Sequence, residues 1–263
     1  MTILDWAALK TTDLPSRTDE RLLAVLPIGA IEQHGPHLPL GTDSTILAAL
    51  LDALRGRTLG GGRALLLPLL PVGLSPEHKG FAGTLTVEAE TLLALWCDVA
   101  RSVVRAGVRR LLFLNSHGGN GALADLATFR LRDEAGVVAA ALTTHRFGAP
   151  EGMLDADERR YGIHGGHAET ALMRAIAPDL VAAEAASFAS REREVATARA
   201  GYTAGPARLA WRAEDLNAAG TVGDAARATA AEGEALLEFM ATRTVEVMED
   251  LLALPLPADP ISR

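Results

Sequence analysis

Cysteine is nearly absent from this 263-residue chain: Cys97 stands alone. That excludes an internal disulfide and any metal site built on a cysteine cluster. Cys97 follows Leu92-Leu93-Ala94-Leu95-Trp96, where a small buried hydrophobe is expected. No apolar run approaches the ~20 residues of a membrane span. The start, MTILDWAALK, lacks the basic and then apolar character of a secretion signal, so a cytoplasmic protein without membrane contact is expected. Clusters of Lys and Arg are missing as well. With 25 basic against 33 acidic residues the formal net charge is -8, which argues against a nucleic-acid partner, because phosphate binding needs grouped cations. The pairs Arg109-Arg110 and Arg159-Arg160 are read as solvated helix or strand edges. Repeats, low-complexity tracts and linkers are also lacking, so residues 1–263 are read as a single domain with enough apolar content for one large core.

What is present is an alternation of short apolar runs with longer segments of helical periodicity, the pattern of a parallel sheet covered by helices. Strands are expected at Leu22–Ile28, Ala64–Leu70 (with an irregular end at Pro68), Arg110–Leu114 and Val137–Leu142. Helices are expected at Asp43–Leu54, Val87–Ala106, Gly121–Glu134, Thr170–Ile176 and Asp224–Leu252, several of them closed by glycine. The stretch from Ser187 to Asn217 carries no clear pattern. In open α/β sheets ligands bind beyond the carboxyl ends of the strands, which draws attention to the loops Gly29–Gly41 and Asn115–Gly121.

The first loop reads GAIEQHGPHLPLGTD. Glu32, His34 and Asp43 offer oxygen, nitrogen and oxygen donors, a set suited to Zn, Mn or Fe. In an extended segment Glu32 and His34 project from the same side. Asp43 opens the next helix, where a carboxylate also serves as a cap. His37 is read as a supporting group and not as a ligand. The second loop, NSHGGNG, places His117 at a strand end with glycines that allow close backbone approach; no Lys-Ser/Thr follows, so it is not a P-loop. A third cluster, GIHGGHAET, holds His164, His167 and Glu169. Glu169 falls in a helical first turn, where the helix dipole favours it, and His164 has the pKa class of a proton carrier. Ser75, Glu77 and His78 form a fourth polar loop, a turn at Ser75-Pro76 that either lines a substrate pocket or is structural.

Three blocks, PIGAIEQHGPHLPLGTD, FLNSHGGN and GIHGGHAETALM, make the chain resemble the creatininase (creatinine amidohydrolase) family from about Val25 to the C-terminal helix. The resemblance implies an α/β fold, a three-layer α/β/α sandwich with a mostly parallel central sheet. It implies a centre of two divalent metal ions per subunit (Zn, Mn or Fe), a small-molecule amide substrate whose cyclic amide or formamide C–N bond is hydrolysed, and a homohexamer. Position by position, Glu32, His34, Asp43 and His117 match metal ligands, with Asp43 as the bridge. His164 matches the catalytic histidine, Glu169 an acidic position by the metals with a ligand or catalytic role, and Ser75 lies near a substrate-contacting serine. His78, Gly118 and His167 complete the expected substrate side. Two departures stand out. Where creatininase has a tyrosine and then a glutamate ligand after the histidine matching His117, this chain has Gly118 and Gly119; Glu169 is then the expected substitute ligand, and creatinine is disfavoured as substrate. His167 replaces a commonly acidic residue, as in the branch that trims the mycofactocin precursor peptide.

The expected reaction is hydrolysis by metal-activated water, with His164 protonating the leaving nitrogen. Rival readings are a metal-dependent peptidase acting on a short peptide, a metallophosphoesterase, for which only Lys79 offers a nearby cation, and a catalytically silent metal-binding subunit.

Overall fold

The computed structural model describes residues 3–257 except 16, 196–198 and 204–205. Five strands form one sheet: β1 (Ile3–Asp5), β2 (Leu22–Ile28), β3 (Arg63–Leu66), β4 (Arg110–Asn115) and β5 (Val138–Thr143). Their order is β1-β3-β2-β4-β5, and every neighbouring pair is parallel. The central strands β2 and β4 are buried along their whole length, as expected of parallel strands covered on both faces. Pro27 is tolerated in β2 because the pairing with β3 ends at Val25↔Leu66, so its missing N–H costs no ladder bond on that side.

Alternation along β2 divides the core. Leu23 and Val25 face one cluster with Leu47, Leu50, Leu172, Met173, Leu236 and Met240. These come from α1 (Thr42–Arg55) and two helices described below. Leu22, Ala24 and Leu26 face the other, with Trp96 and Cys97 of α2 (Ala89–Arg105) and Leu123 and Leu131 of α3 (Gly121–Ala135). The result is the expected three-layer arrangement, with Cys97 buried.

After β5 the chain forms α4 (Ala156–Tyr161) and α5 (His167–Ile176), then β6 (Ser187–Phe188), β7 (Ala200–Gly201), β8 (Ala207–Arg208), α6 (Ala213–Leu216), β9 (Gly223–Asp224) and α7 (Ala230–Ala253). β6 pairs antiparallel with β9, and β7 parallel with β8. The last helix starts six residues later than its periodicity suggests. Thr229 caps it through the Glu232 N–H while Glu232 reaches back to the Thr229 N–H, a reciprocal box that sets the boundary. α4 is capped by Asp155 and carries Glu158, a buried carboxylate that accepts from the backbone N–H of His167 (2.7 Å) and of Asp224 (2.8 Å).

Arg110 corrects the reading of basic pairs as solvated edges. It is buried at the start of β4, where its guanidinium donates to the carbonyls of Leu251 and Leu254. A cation there satisfies carbonyls that the end of α7 leaves free. Among the described residues no helix is long and apolar enough to cross a membrane.

Candidate metal centre

The carboxyl ends of β2, β3 and β4 open on the same side of the sheet, and the loops that follow them meet there with the start of α5. Two asparagines join the loops. Asn115 accepts from the His117 N–H and donates to the His117 carbonyl and Thr143 Oγ1. Asn120 donates to the Gly29 carbonyl and accepts from the Leu74 N–H. In the first loop Gly35 sits at φ +71, with Thr221 against the position a Cβ would take; both the backbone and the space require glycine.

Glu32 lies at the centre, 1 % exposed. Its Oε1 is 3.1 Å from His117 Nδ1, 3.4 Å from His78 Nε2 and 3.7 Å from His164 Nδ1. Asp43 Oδ2 is 3.9 Å from His34 Nε2 and 3.6 Å from His117 Nδ1, and Glu169 Oε2 is 3.8 Å from His34 Nε2. Asp43 makes no capping bond: Gly41 is the N-cap of α1, and the carboxylate is buried in the cluster instead. Glu169 also accepts from the Gly165 N–H at 2.6 Å, so its place in the first turn of α5 and its place in the cluster coexist.

Hydrogen bonds on the far side of the rings set the tautomers. His34 Nδ1–H donates to the Glu32 carbonyl (3.0 Å), leaving the Nε2 lone pair directed into the cluster. His117 Nε2–H donates to the Leu74 carbonyl (2.9 Å) and leaves Nδ1 toward Glu32 and Asp43. Backbone bonds of this kind orient ligating histidines. Three buried atoms in the cluster have no hydrogen-bond partner: Glu32 Oε2, His34 Nε2 and Asp43 Oδ2. Buried polar atoms left without a partner are costly. A divalent cation satisfies all of them. Ligand atoms each ~2.0–2.2 Å from one ion stand roughly 3–4 Å apart, close to the separations here. Within 4.8 Å spheres the donors fall into three groups: His34 with Asp43 and Glu169, Glu32 with His117 and Glu77, and Glu32 with His34 and His164. The residues fit a metal.

The titration behaviour reflects the crowding. Burial raises Asp43 well above the usual carboxylate range, and the Glu32 charge adds to it; burial likewise raises Glu169. Burial works against charge on Glu32 too, but the imidazoles of His117, His164 and His78 outweigh it and hold Glu32 low. Burial works against charge on His117, but the charge and hydrogen bond of Glu32 together with the charges of Asp43 and Glu77 outweigh it and push His117 up to about 10.

Glu32, His34, Asp43, His117, His164 and Glu169 are thus brought together by the fold. Other expected residues are placed differently. Glu169 joins His34 and Asp43, where a substitute ligand was expected. Ser75 is fully buried behind His117, with Oγ 3.3 Å from Nε2, rather than on a substrate-facing surface. His167, expected on the substrate side, is buried with its Nε2 3.1 Å from Glu232 of α7. His37 contacts the Gly165 carbonyl (2.9 Å) and ties the first loop to α5. His78 packs 4.3 Å from the His164 ring. Gly118 lies at the exposed rim, where a Cβ would meet only His145 at 3.7 Å.

One residue of the site was not singled out by the sequence, and a second was seen without its partner. Gln33 accepts from the Gly35 N–H and donates to the Gly220 carbonyl and to His78 Nδ1 (2.8 Å), while its own carbonyl accepts from His164 Nε2 (2.7 Å). It fixes both imidazoles at once; its alternation with Glu32 and His34 signalled only an opposite side. Glu77 was visible as a loop carboxylate, but its approach to His117 depends on tertiary structure.

A family model for creatininase, described as creatinine amidohydrolase, matches residues 7–248. The mycofactocin precursor peptide peptidase of Mycobacterium ulcerans is 32% identical over 224 residues, 82% of this chain and 80% of its own length. Creatinine amidohydrolase of Pseudomonas putida is 33% identical over 177 residues, 60% of this chain and 65% of its own. A solved structure of creatininase with Mn has a TM-score of 0.67 and 24% identity, covering 95% of this chain and 99% of that one; it shares the fold.

Proposed function

The chain belongs to the creatininase family, and on that premise we propose that it is a metal-dependent amidohydrolase that cleaves an amide C–N bond. The observation that carries the proposal is the set of buried, unpartnered atoms Glu32 Oε2, His34 Nε2 and Asp43 Oδ2 in one cluster, with the His34 ring oriented by the Glu32 carbonyl. Glu32, His34, Asp43, His117 and Glu169 would hold the divalent ions, two of the Zn, Mn or Fe class in this reading. Bound there, such an ion supplies Lewis acidity and a water whose pKa falls from 15.7 toward ~7.

The chain's own residues do the rest. His164 keeps its proton on Nε2, donated to the Gln33 carbonyl, so that Nδ1 is the free atom. Burial, helped by neighbouring His34, lowers His164 to about 4, which leaves that atom neutral at pH 7. Nδ1 therefore takes up a proton as attack proceeds and passes it to the leaving nitrogen. Gln33 holds His164 and His78 in register with the cluster. Burial of Glu32 and Asp43 keeps bulk water from the charged side of the site.

A cyclic amide or formamide is the first substrate reading. A short peptide is the second, and one observation favours it: the rim at Gly118 is open, leaving room for a longer chain beside the cluster, and relatives 31–33% identical are named as peptidases. We further propose a cytoplasmic homohexamer; exposed Leu95 of α2 and Leu126 and Phe129 of α3 offer apolar surface for assembly, and light scattering after gel filtration measures its mass.

The test is a chelator-stripped protein reloaded with Zn, Mn or Fe and offered lactams, formamides and short peptides. Hydrolysis of one class that disappears on stripping and returns on reloading is expected. Equal turnover with and without metal, or inertness of the loaded protein toward every amide, sinks the proposal.

A further inference from the structure

Three imidazoles converge on Glu32 Oε1: His117 Nδ1 at 3.1 Å, His78 Nε2 at 3.4 Å and His164 Nδ1 at 3.7 Å. What each ring offers there depends on where its other nitrogen is committed. His117 Nε2 meets the Leu74 carbonyl at 2.9 Å, and His164 Nε2 meets the Gln33 carbonyl at 2.7 Å. A carbonyl only accepts, so both rings carry a proton on that far side. The nitrogens they turn to Glu32 are free to take an ion or a further proton.

His78 is the reverse. Its Nδ1 lies 2.8 Å from Gln33 Nε2. The orientation of that amide is fixed at both ends: Gln33 Oε1 accepts from the Gly35 N–H, and Nε2 donates to the Gly220 carbonyl. The second amide hydrogen goes to His78 Nδ1, which must be unprotonated to accept it. The contact of Gln33 Nε2 with His164 Nε2, at 3.3 Å, joins two donors and is not a bond. The ring proton of His78 is therefore on Nε2, directed at Glu32. The ring is also held in place: it is 2 % exposed, closes the turn Pro76–His78, and stacks on His164 at 4.3 Å and 27°.

We propose that His78 is a positioning residue of the metal centre: it does not ligate, but donates its Nε2–H to Glu32 Oε1 and aims that carboxylate at an ion. This rests on the reading of the cluster as a metal centre. The 3.4 Å separation exceeds the ~2.7–3.2 Å of an ordinary N–H···O bond, a gap that a slight rotation of either side chain closes. Ligating carboxylates are commonly held by such donors, and the unpartnered Glu32 Oε2 stays available to the ion. Gly220, Gln33, His78 and Glu32 then form one relay. It gives the turn after β3 a part in holding metal without touching it, and moves His78 away from the substrate side where the sequence places it.

The test uses the full chain, stripped of metal, with Zn(II) affinity measured by competition against a chelator. His78→Leu, close in volume but without the donor, is expected to weaken Zn(II) binding by about 10–100-fold, the range for partners of ligating residues. His78→Gln, whose amide N–H reaches a similar point, is expected to recover most of that loss. A residue serving only the fold would not produce this order, and one touching only substrate would leave Zn(II) affinity unmoved. Circular dichroism of the metal-free variants shows whether they are folded. Imidazole nitrogen NMR of the loaded wild-type protein decides even if they are not: His78 is expected to carry its proton on Nε2 and none on Nδ1. The role is overturned by a folded His78→Leu that binds Zn(II) as tightly as wild type, by a His78→Gln no better than His78→Leu, or by a His78 Nε2 without a proton, which would make it a ligand. A wild-type chain that takes up no Zn(II) overturns the metal-centre reading itself, and this role with it.

Discussion

Glu32 and Glu158 are both buried glutamates set among glycines and histidines, and they do opposite things. Glu158 spends its two oxygens on backbone donors, the N–H of His167 and of Asp224, so it fastens α4, α5 and β9 together. Glu32 directs Oε1 at three imidazoles and leaves Oε2 with no donor at all. Burial alone does not separate a structural carboxylate from a ligand. The separating quantity is whether the chain itself satisfies the oxygens.

The comparison can be broken most directly at Asp43, the neighbour that shares the unsatisfied side. Asp43→Ala should empty the centre and drop hydrolysis to background, read by elemental analysis of the purified variant; normal metal content would erase the distinction. Next in size, His164→Ala should lower kcat by about 10²–10⁴-fold with metal content unchanged, measured by steady-state kinetics beside metal analysis. Loss of metal in that variant would make His164 a ligand instead.

The pH dependence sharpens the contrast further. Burial raises Asp43 and Glu169, and at His117 burial is outweighed by the Glu32 charge and hydrogen bond with the charges of Asp43 and Glu77, which push it to about 10, so metal-free His117 holds a proton that an incoming ion displaces. Affinity should accordingly fall as pH falls, by about tenfold per unit for each proton displaced, and competition against a chelator between pH 6 and 8 measures it. A flat profile would contradict that proton release. The smallest effect belongs to the satisfied member of the pair. Glu158→Gln should cost about 1.5–3 kcal/mol in urea unfolding, the range of charge-assisted bonds, and leave the metal count alone. A lost ion in Glu158→Gln would show that the two carboxylates are not separable.

Much of the scaffold was legible in the chain. β2 and β4 are apolar along their length, and α1 and α3 are closed by residues with strong boundary preferences, so the expected bounds differ from the observed ones by one or two residues. β1 is three residues long and α4 six, too short for periodicity to rise above noise. The late start of α7 was encoded in Thr229 and Glu232, a capping signal that helical periodicity upstream masked. In the site, residues adjacent in sequence were legible because extended geometry forces Glu32 and His34 to one side. Gln33 and Glu77 were not, since each acts on partners far along the chain: Gln33 on His78 and His164, Glu77 on His117.

Gln33 meets Gly220 across 187 residues, and His164 reaches back 131 to the Gln33 carbonyl. Closing loops of that length costs chain entropy, so the unfolded chain has no ready-made place for an ion. The ion then acts by mass action, holding the chain in its finished state rather than guiding it there: at a free concentration 100 times Kd it adds about 2.7 kcal/mol. Refolding rates should therefore be indifferent to added metal, while unfolding of the loaded protein slows.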